Sequence, residues 1–137
     1  MIFGIGTDMV EIKRIKNINS IDRFAKKILS TNELNFFNSL KQEKKITYLS
    51  KQFAGKEAVS KAIGTGITKL TRFKDIEILR DEKGKPILNA IDGFKKYMGD
   101  LGITKTHVSL SDERNYAIAF AVVEACMIEF YWVLRAP

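Results

Sequence analysis

Apolar residues along this chain recur with two different periods, and the switches between them mark the elements. In residues 1–12 they fall at Ile2, Phe3, Ile5, Met9, Val10 and Ile12, broken by Gly4 and Gly6. A short apolar run with closely spaced glycines predicts a buried strand approached by another backbone or a ligand. Ser20 then fits an N-cap, with Ile21, Phe24, Ala25, Ile28 and Leu29 following at helical spacing. Thr31 or Asn32 is expected to cap a second short helix through Leu34, Phe36, Phe37 and Leu40. The strongest helical signal is residues 41–64, where Ile46, Leu49, Phe53, Ala54, Ala58, Ala62 and Ile63 form a stripe of mostly small residues. Gly64 stops that helix, and Gly55 inside it costs about 1 kcal/mol relative to Ala. Residues 75–80 alternate, with Ile76 and Ile78 on one face, and Gly84 turns them into residues 85–89 as a hairpin. Residues 91–101 predict an amphipathic helix ended by Gly102, and 106–111 and 116–123 predict strands joined by the polar turn 112–115. The order β-α-α-α-β-β-α-β-β implies an α+β fold, a mainly antiparallel sheet packed against a long helix in a single lobe.

Composition narrows the class. A length of 137 residues fits one domain with a real core, and 45% hydrophobic content excludes disordered and collagen-like classes. One cysteine, Cys126, and one histidine, His107, exclude a disulfide framework and multi-ligand zinc sites, and point to a reducing compartment. Residues 1–10 carry Asp8 and lack the basic start of an export signal. The apolar run 116–134 holds Glu124 and Glu129, which are costly in a bilayer. A cytoplasmic protein that does not span a membrane is expected. The formal charge of +7, from 23 Lys and Arg against 16 Asp and Glu, favours acidic partners without choosing among them.

A few positions could carry chemistry. Asp8 is an acid among apolar neighbours, either bonded in a turn at the strand end or functional. Glu57 and Lys61 lie four apart on the long helix beside Ala54 and Ala58. They form either an ordinary helical ion pair or, with room beside the carboxylate, part of a site. Should Asp8 and Glu57 converge, two carboxylates offer hard oxygens for Mg²⁺, which substrate phosphates complete, and Lys61 meets phosphate as a point charge. Gly64-Thr65-Gly66 either caps the helix or presents backbone amides to a phosphate. His107 on its strand is either structural or a donor near phosphate. The stretch 41–61, six Lys against two Glu, reads as a solvated helix face. Arg14, Lys16, Arg23, Lys26 and Lys27 form a second basic cluster suited to an acidic helix. A basic nucleic-acid-binding module without catalysis is the alternative, but no helix-turn-helix, RNP motif or zinc finger is present and Asp8 would be unexplained.

Four segments in order resemble the holo-[acyl-carrier-protein] synthase family, the small bacterial type of 4′-phosphopantetheinyl transferase. They are residues 4–12 (GIGTDMVEI), 53–62 (FAGKEAVSKA) with 64–66 (GTG), 75–78 (DIEI) with 84–86 (GKP), and 107–111 (HVSLS) with 116–119 (YAIA). The resemblance covers about residues 1–125 as a transferase domain, leaving 126–137 as a tail with no family counterpart. It implies transfer of the 4′-phosphopantetheine of coenzyme A to a serine of apo acyl carrier protein, with release of adenosine 3′,5′-bisphosphate. It implies Mg²⁺ held by Asp8 and Glu57, with Glu57 also orienting the serine and Lys61 neutralising phosphate charge. It further implies CoA binding by Lys61, Gly64, Thr65, Gly66 and His107, and carrier docking on Arg14 and Arg23. A homotrimer with sites between subunits follows from the same resemblance, with no role for nucleic acid or membrane. Two positions depart from the family: Gln52 where an Arg that grips a CoA phosphate is frequent, predicting a weaker hold on CoA, and Gly55 where Ala is usual, loosening the helix.

Overall fold

The structure is a computed structural model and describes residues 1–126. Its elements are β1 (Ile2–Glu11), α1 (Ile12–Lys16), α2 (Ile21–Ile28), α3 (Thr31–Ser39), α4 (Gln42–Ile63), a 3₁₀ turn (Phe73–Asp75), β2 (Ile76–Arg80), β3 (Pro86–Ala90), α5 (Asp92–Asp100), β4 (Ile103–Asp112) and β5 (Tyr116–Ala125). The α+β class and antiparallel pairing hold. The strands divide into a three-stranded sheet, β1-β5-β4, and a separate β2-β3 hairpin.

The glycines of β1 explain how that sheet meets α4. A Cβ at Gly4 would sit 2.0 Å from the carbonyl oxygen of Ala62, and one at Gly6 would sit 1.9 Å from that of Ala58. Strand and helix backbones therefore touch, as the paired glycines predict. Ala54, Ala58 and Ala62 complete the thin interface from the helix side, and Ala117, Ala119 and Ala121 from β5, all essentially buried. Gly64 ends α4 in the left-handed conformation at φ 95°, donating to Ser60 O at 3.1 Å and Lys61 O at 3.0 Å.

Several expectations are corrected. The strand over residues 1–12 is buried on one face only, because Ile5 is 68% exposed and Met9 63% on the face turned away from α4. Alternation places Gly4, Gly6, Asp8 and Val10 inward and the intervening residues outward. The cap of α3 is Ser30 rather than Thr31 or Asn32: Ser30 and Glu33 form a reciprocal capping box. The five-residue α1, which carries Arg14, has no counterpart among the expected elements. Gly55 also lets Ile78 and Leu110 close onto α4, where a Cβ would come within 2.7 and 3.0 Å of their terminal methyls.

No described helix is long and apolar enough to cross a membrane. Cys126 is an exposed free thiol, and the remainder of the expected tail, 127–137, lies outside the described residues.

Candidate active site

At the β1–α4 crossing the glycine-lined contact ends and side chains fill the gap. Asp8 follows Gly6 on the inward face of β1, and Lys61 reaches it from the last turn of α4. The Lys61 Nζ donates to Asp8 Oδ1 at 3.0 Å and to the Thr7 carbonyl at 3.0 Å. Glu57, one turn earlier on α4, lies in the same field. Burial raises its carboxyl above the ordinary range, the Asp8 charge adds to that rise, and Lys61 opposes it. The ammonium is half exposed while the Asp8 carboxylate is only 17% exposed, so the cluster is open on one side.

Two carboxylates and an ammonium at an open edge can hold a hard cation and a phosphate together. Among the described residues no group of three or more His, Cys, Asp or Glu converges as a metal cage. A two-carboxylate set fits Mg²⁺, which takes one or two carboxylates and completes its octahedron with water and substrate phosphate.

The other expected site residues are placed differently. The amides of Gly64, Thr65 and Gly66 all turn back onto the Ser60 carbonyl, at 3.1, 3.3 and 3.2 Å. The helix-capping alternative therefore describes this loop, and the amide cradle for phosphate is not formed. His107 lies on the outer face of β4, where its Nε2 contacts Glu124 Oε2 at 2.7 Å. It pairs across the sheet with Val122 and through it with Ile5, whereas Asp8 pairs with Ala119 and through it with Leu110, which faces α4. His107 and Asp8 thus stand on opposite faces of the sheet in one copy of the chain. Arg14 on α1 and Arg23 on α2 are exposed.

A second polar cluster went unread in the sequence. Lys56, within the run expected to be solvated, is fully buried and donates to Glu33 Oε1 at 2.6 Å, Ile28 O at 2.8 Å and Phe73 O at 2.8 Å. Burial lowers the ammonium's pKa while Glu33 pulls it back up. Gln52 is equally buried, donating to Glu33 Oε2 and, at 2.9 Å, to Ile78 O. Its amide is a core tie and offers no charge to a phosphate. The signal that could have been read is the Ser-x-x-Glu capping box at residues 30–33, which turns Glu33 inward.

With this geometry in view, comparison with known proteins is specific. The model of the 4′-phosphopantetheinyl transferase superfamily matches residues 4–121. The chain belongs to that superfamily. Within it, holo-[acyl-carrier-protein] synthase of Vibrio parahaemolyticus is 44% identical over 126 residues, covering 90% of this chain and 98% of the relative. The crystal structure of the Neisseria meningitidis holo-[acyl-carrier-protein] synthase aligns with TM-score 0.83 at 40% identity, covering 90% of this chain and 99% of that one. A Bacillus anthracis holo-(acyl-carrier-protein) synthase in complex with CoA (3′,5′-ADP) aligns with TM-score 0.79 at 38% identity, covering 92% of this chain and 99% of that one.

Proposed function

We infer that this protein is a holo-[acyl-carrier-protein] synthase, transferring 4′-phosphopantetheine from coenzyme A to a serine of apo acyl carrier protein. The observation that carries the reading is the meeting of Asp8, Glu57 and Lys61 where β1 crosses α4. In the reaction the serine oxygen forms a bond to the phosphorus nearest pantetheine. The bond from that phosphorus to the bridging oxygen breaks, and adenosine 3′,5′-bisphosphate leaves with its electron pair. Such transfer depends on positioning and charge neutralisation more than on covalent help from the protein.

Asp8 and Glu57 are the carboxylates that would hold Mg²⁺, whose contribution when bound is to neutralise pyrophosphate charge. Lys61, now on Asp8, swings a short way to meet a phosphate oxygen; its exposure leaves that movement free. Glu57 orients the serine hydroxyl and takes its proton, directly or through water. Arg14 and Arg23 present charge on exposed helices to an acidic carrier.

A site on edge strand β1 offers half a cleft, which supports shared sites in a homotrimer. The outer face of the sheet supports the same arrangement: Ile5, Met9, Phe120 and Tyr116 are 68, 63, 53 and 44% exposed there. An exposed apolar sheet face of this kind supports a subunit contact there. His107, on that face, would then serve the site of a neighbouring copy. The cytoplasm, where CoA and apo carrier meet, is the proposed location.

The test is to mix the protein with CoA, Mg²⁺ and apo acyl carrier protein and follow the carrier by intact mass. A phosphopantetheine mass gain that disappears with EDTA supports the reading. No gain with several carriers, alongside salt-sensitive DNA binding, would replace it with the binding-module alternative.

A further inference from the structure

Helix α2 carries Arg23, one of the two cations that face the carrier in the transfer reading, yet it buries only Ala25 and Ile28 of its eight residues. Two points on α4 hold this lightly packed helix. The ring of Phe24 lies 5.7 Å from that of Phe53, which stacks in turn on Phe73 of the 3₁₀ turn at 5.6 Å. One turn further along α4, the Lys56 ammonium donates to the carbonyls of Ile28 and Phe73, each at 2.8 Å. Ile28 is the last residue of α2, and a carbonyl in the last turn of a helix has no partner within that helix. Lys56 therefore satisfies a group that is otherwise open. Its third bond, to Glu33 Oε1 at 2.6 Å, neutralises the ammonium and brings α3 to the same point.

Chain neighbours turn these contacts into a linkage. Arg23 precedes Phe24 on α2, and Lys56 precedes Glu57 inside the unbroken helix α4. An anchor at the Lys56 ammonium thus fixes the backbone that carries Glu57 against the end of α2. The anchor is fully buried, so neither salt nor solvent screens it as they would a surface ion pair. A carrier docked on α2 has to deliver its serine to the edge where Asp8, Glu57 and Lys61 meet. Transfer tolerates little error in that delivery, since a misplacement of about 1 Å can cost roughly 10²-fold in rate.

We propose that Lys56 is a positioning residue for the transfer: its bond to the Ile28 carbonyl sets the carrier-docking helix α2 relative to Glu57, and with it the aim of the carrier's serine. This role rests on the transfer reading given above and extends it to a side chain that touches neither substrate. Lys56 acts through α2 on one side and through Glu57 on the other, within one copy of the chain.

The test is a double-mutant cycle of Lys56→Met and Arg23→Ala, read in the carrier mass assay and in thermal melts, with rates expressed per folded molecule. Lys56→Gln, which keeps a donor in the pocket, takes the place of Lys56→Met should the latter not fold. Arg23→Ala alone should raise the KM for carrier about fivefold and leave kcat unchanged. Lys56→Met should lower kcat at least about tenfold with the KM for CoA unchanged. In the double variant the Arg23→Ala effect on carrier KM should shrink below about twofold, while the shifts in melting temperature simply add. Met98→Ala, a core truncation on α5, controls for lost stability and should keep the wild-type kcat. An equal loss of kcat in Met98→Ala, or a Lys56→Met with full kcat and an undiminished Arg23→Ala effect, overturns the positioning role and leaves the transfer reading standing. A wild type that modifies no carrier removes both.

Discussion

Lys56 and Glu57 are consecutive residues of α4, yet they belong to two polar clusters built on opposite principles. An α-helix turns its side chains by about 100° per residue. Lys56 therefore points into the body of the protein, where Glu33 and two carbonyls enclose its ammonium completely. Glu57 points along the β1 crossing, where its charge is opposed by Asp8 and the cluster remains open. In the first cluster every donor has found its acceptor inside the chain. In the second, two like charges share one field and the balancing cation is half exposed, so the arrangement stays open to solvent. Polar groups that satisfy one another hold a fold; polar groups left in mutual repulsion at an open edge are available to a ligand.

Breaking each side separately gives the largest contrast. Lys56→Met leaves Glu33 buried without its cation, and losing one partner of a buried pair costs about 3–5 kcal/mol. Urea denaturation should show that loss, and a variant as stable as wild type would mean that the Lys56–Glu33 contact contributes nothing to stability. Glu57→Gln removes a carboxylate that Asp8 opposes, so its melting temperature should be no lower than wild type. Its transfer rate should nevertheless fall by roughly 10²-fold or more in the carrier mass assay. Full activity would remove Glu57 from the reaction.

The glycines sharpen the same contrast at the level of backbone contact. Gly6→Ala drives a Cβ into the Ala58 carbonyl, a backbone atom that cannot swing aside. The substitution should cost about 3 kcal/mol and separate Asp8 from Lys61, with activity lost alongside stability. Gly55→Ala meets only the methyl ends of Ile78 and Leu110. The helix gains about 1 kcal/mol from the replacement, which offsets the strain, and net stability should stay within about 1 kcal/mol of wild type. Thermal melts of the two variants side by side check the difference; equal losses would mean that α4 packs on β1 no more tightly than on its other neighbours.

These two clusters were not equally legible in the sequence. The paired glycines of β1 announced a close backbone approach, and the small-residue stripe with Gly64 fixed where α4 ends, because both are local steric rules. The convergence of Asp8 with Glu57 and Lys61 joins residues about fifty positions apart, and it came from ordered motifs resembling a family rather than from periodicity. Lys56 was hidden because a lysine in a lysine-rich helix looks solvated, and its burial depends on Glu33 being turned inward by a capping box on another helix. His107 could be placed on its strand but not on a site, since it stands on the face of the sheet opposite Asp8. The outward apolar residues Ile5 and Met9 were mistaken for core because an exposed apolar face and a core have one composition.

Glu77 offers the smallest effect and separates structural from reactive carboxylates by pH. It is almost fully buried beside the Lys56 cluster. Burial pushes its carboxyl up, but hydrogen bonds from Ser30 at 2.6 Å, Asn89 at 2.9 Å and Asn32 outweigh that and hold it below the usual range. An acid whose folded pKa is depressed stabilises the fold above its unfolded value, near 4.3, and loses that contribution as pH falls through the folded value. Glu57, shifted in the opposite direction, contributes no such acid-labile stability. Melting temperatures measured from pH 6 down to about pH 3 should therefore show the gap between wild type and Glu77→Gln narrowing across that window. For Glu57→Gln the sign is opposite: any advantage of the variant over wild type at pH 6 should fade as the pH falls and Glu57 takes up its proton. A constant gap for Glu77→Gln would mean that its hydrogen bonds hold a neutral carboxyl rather than a carboxylate.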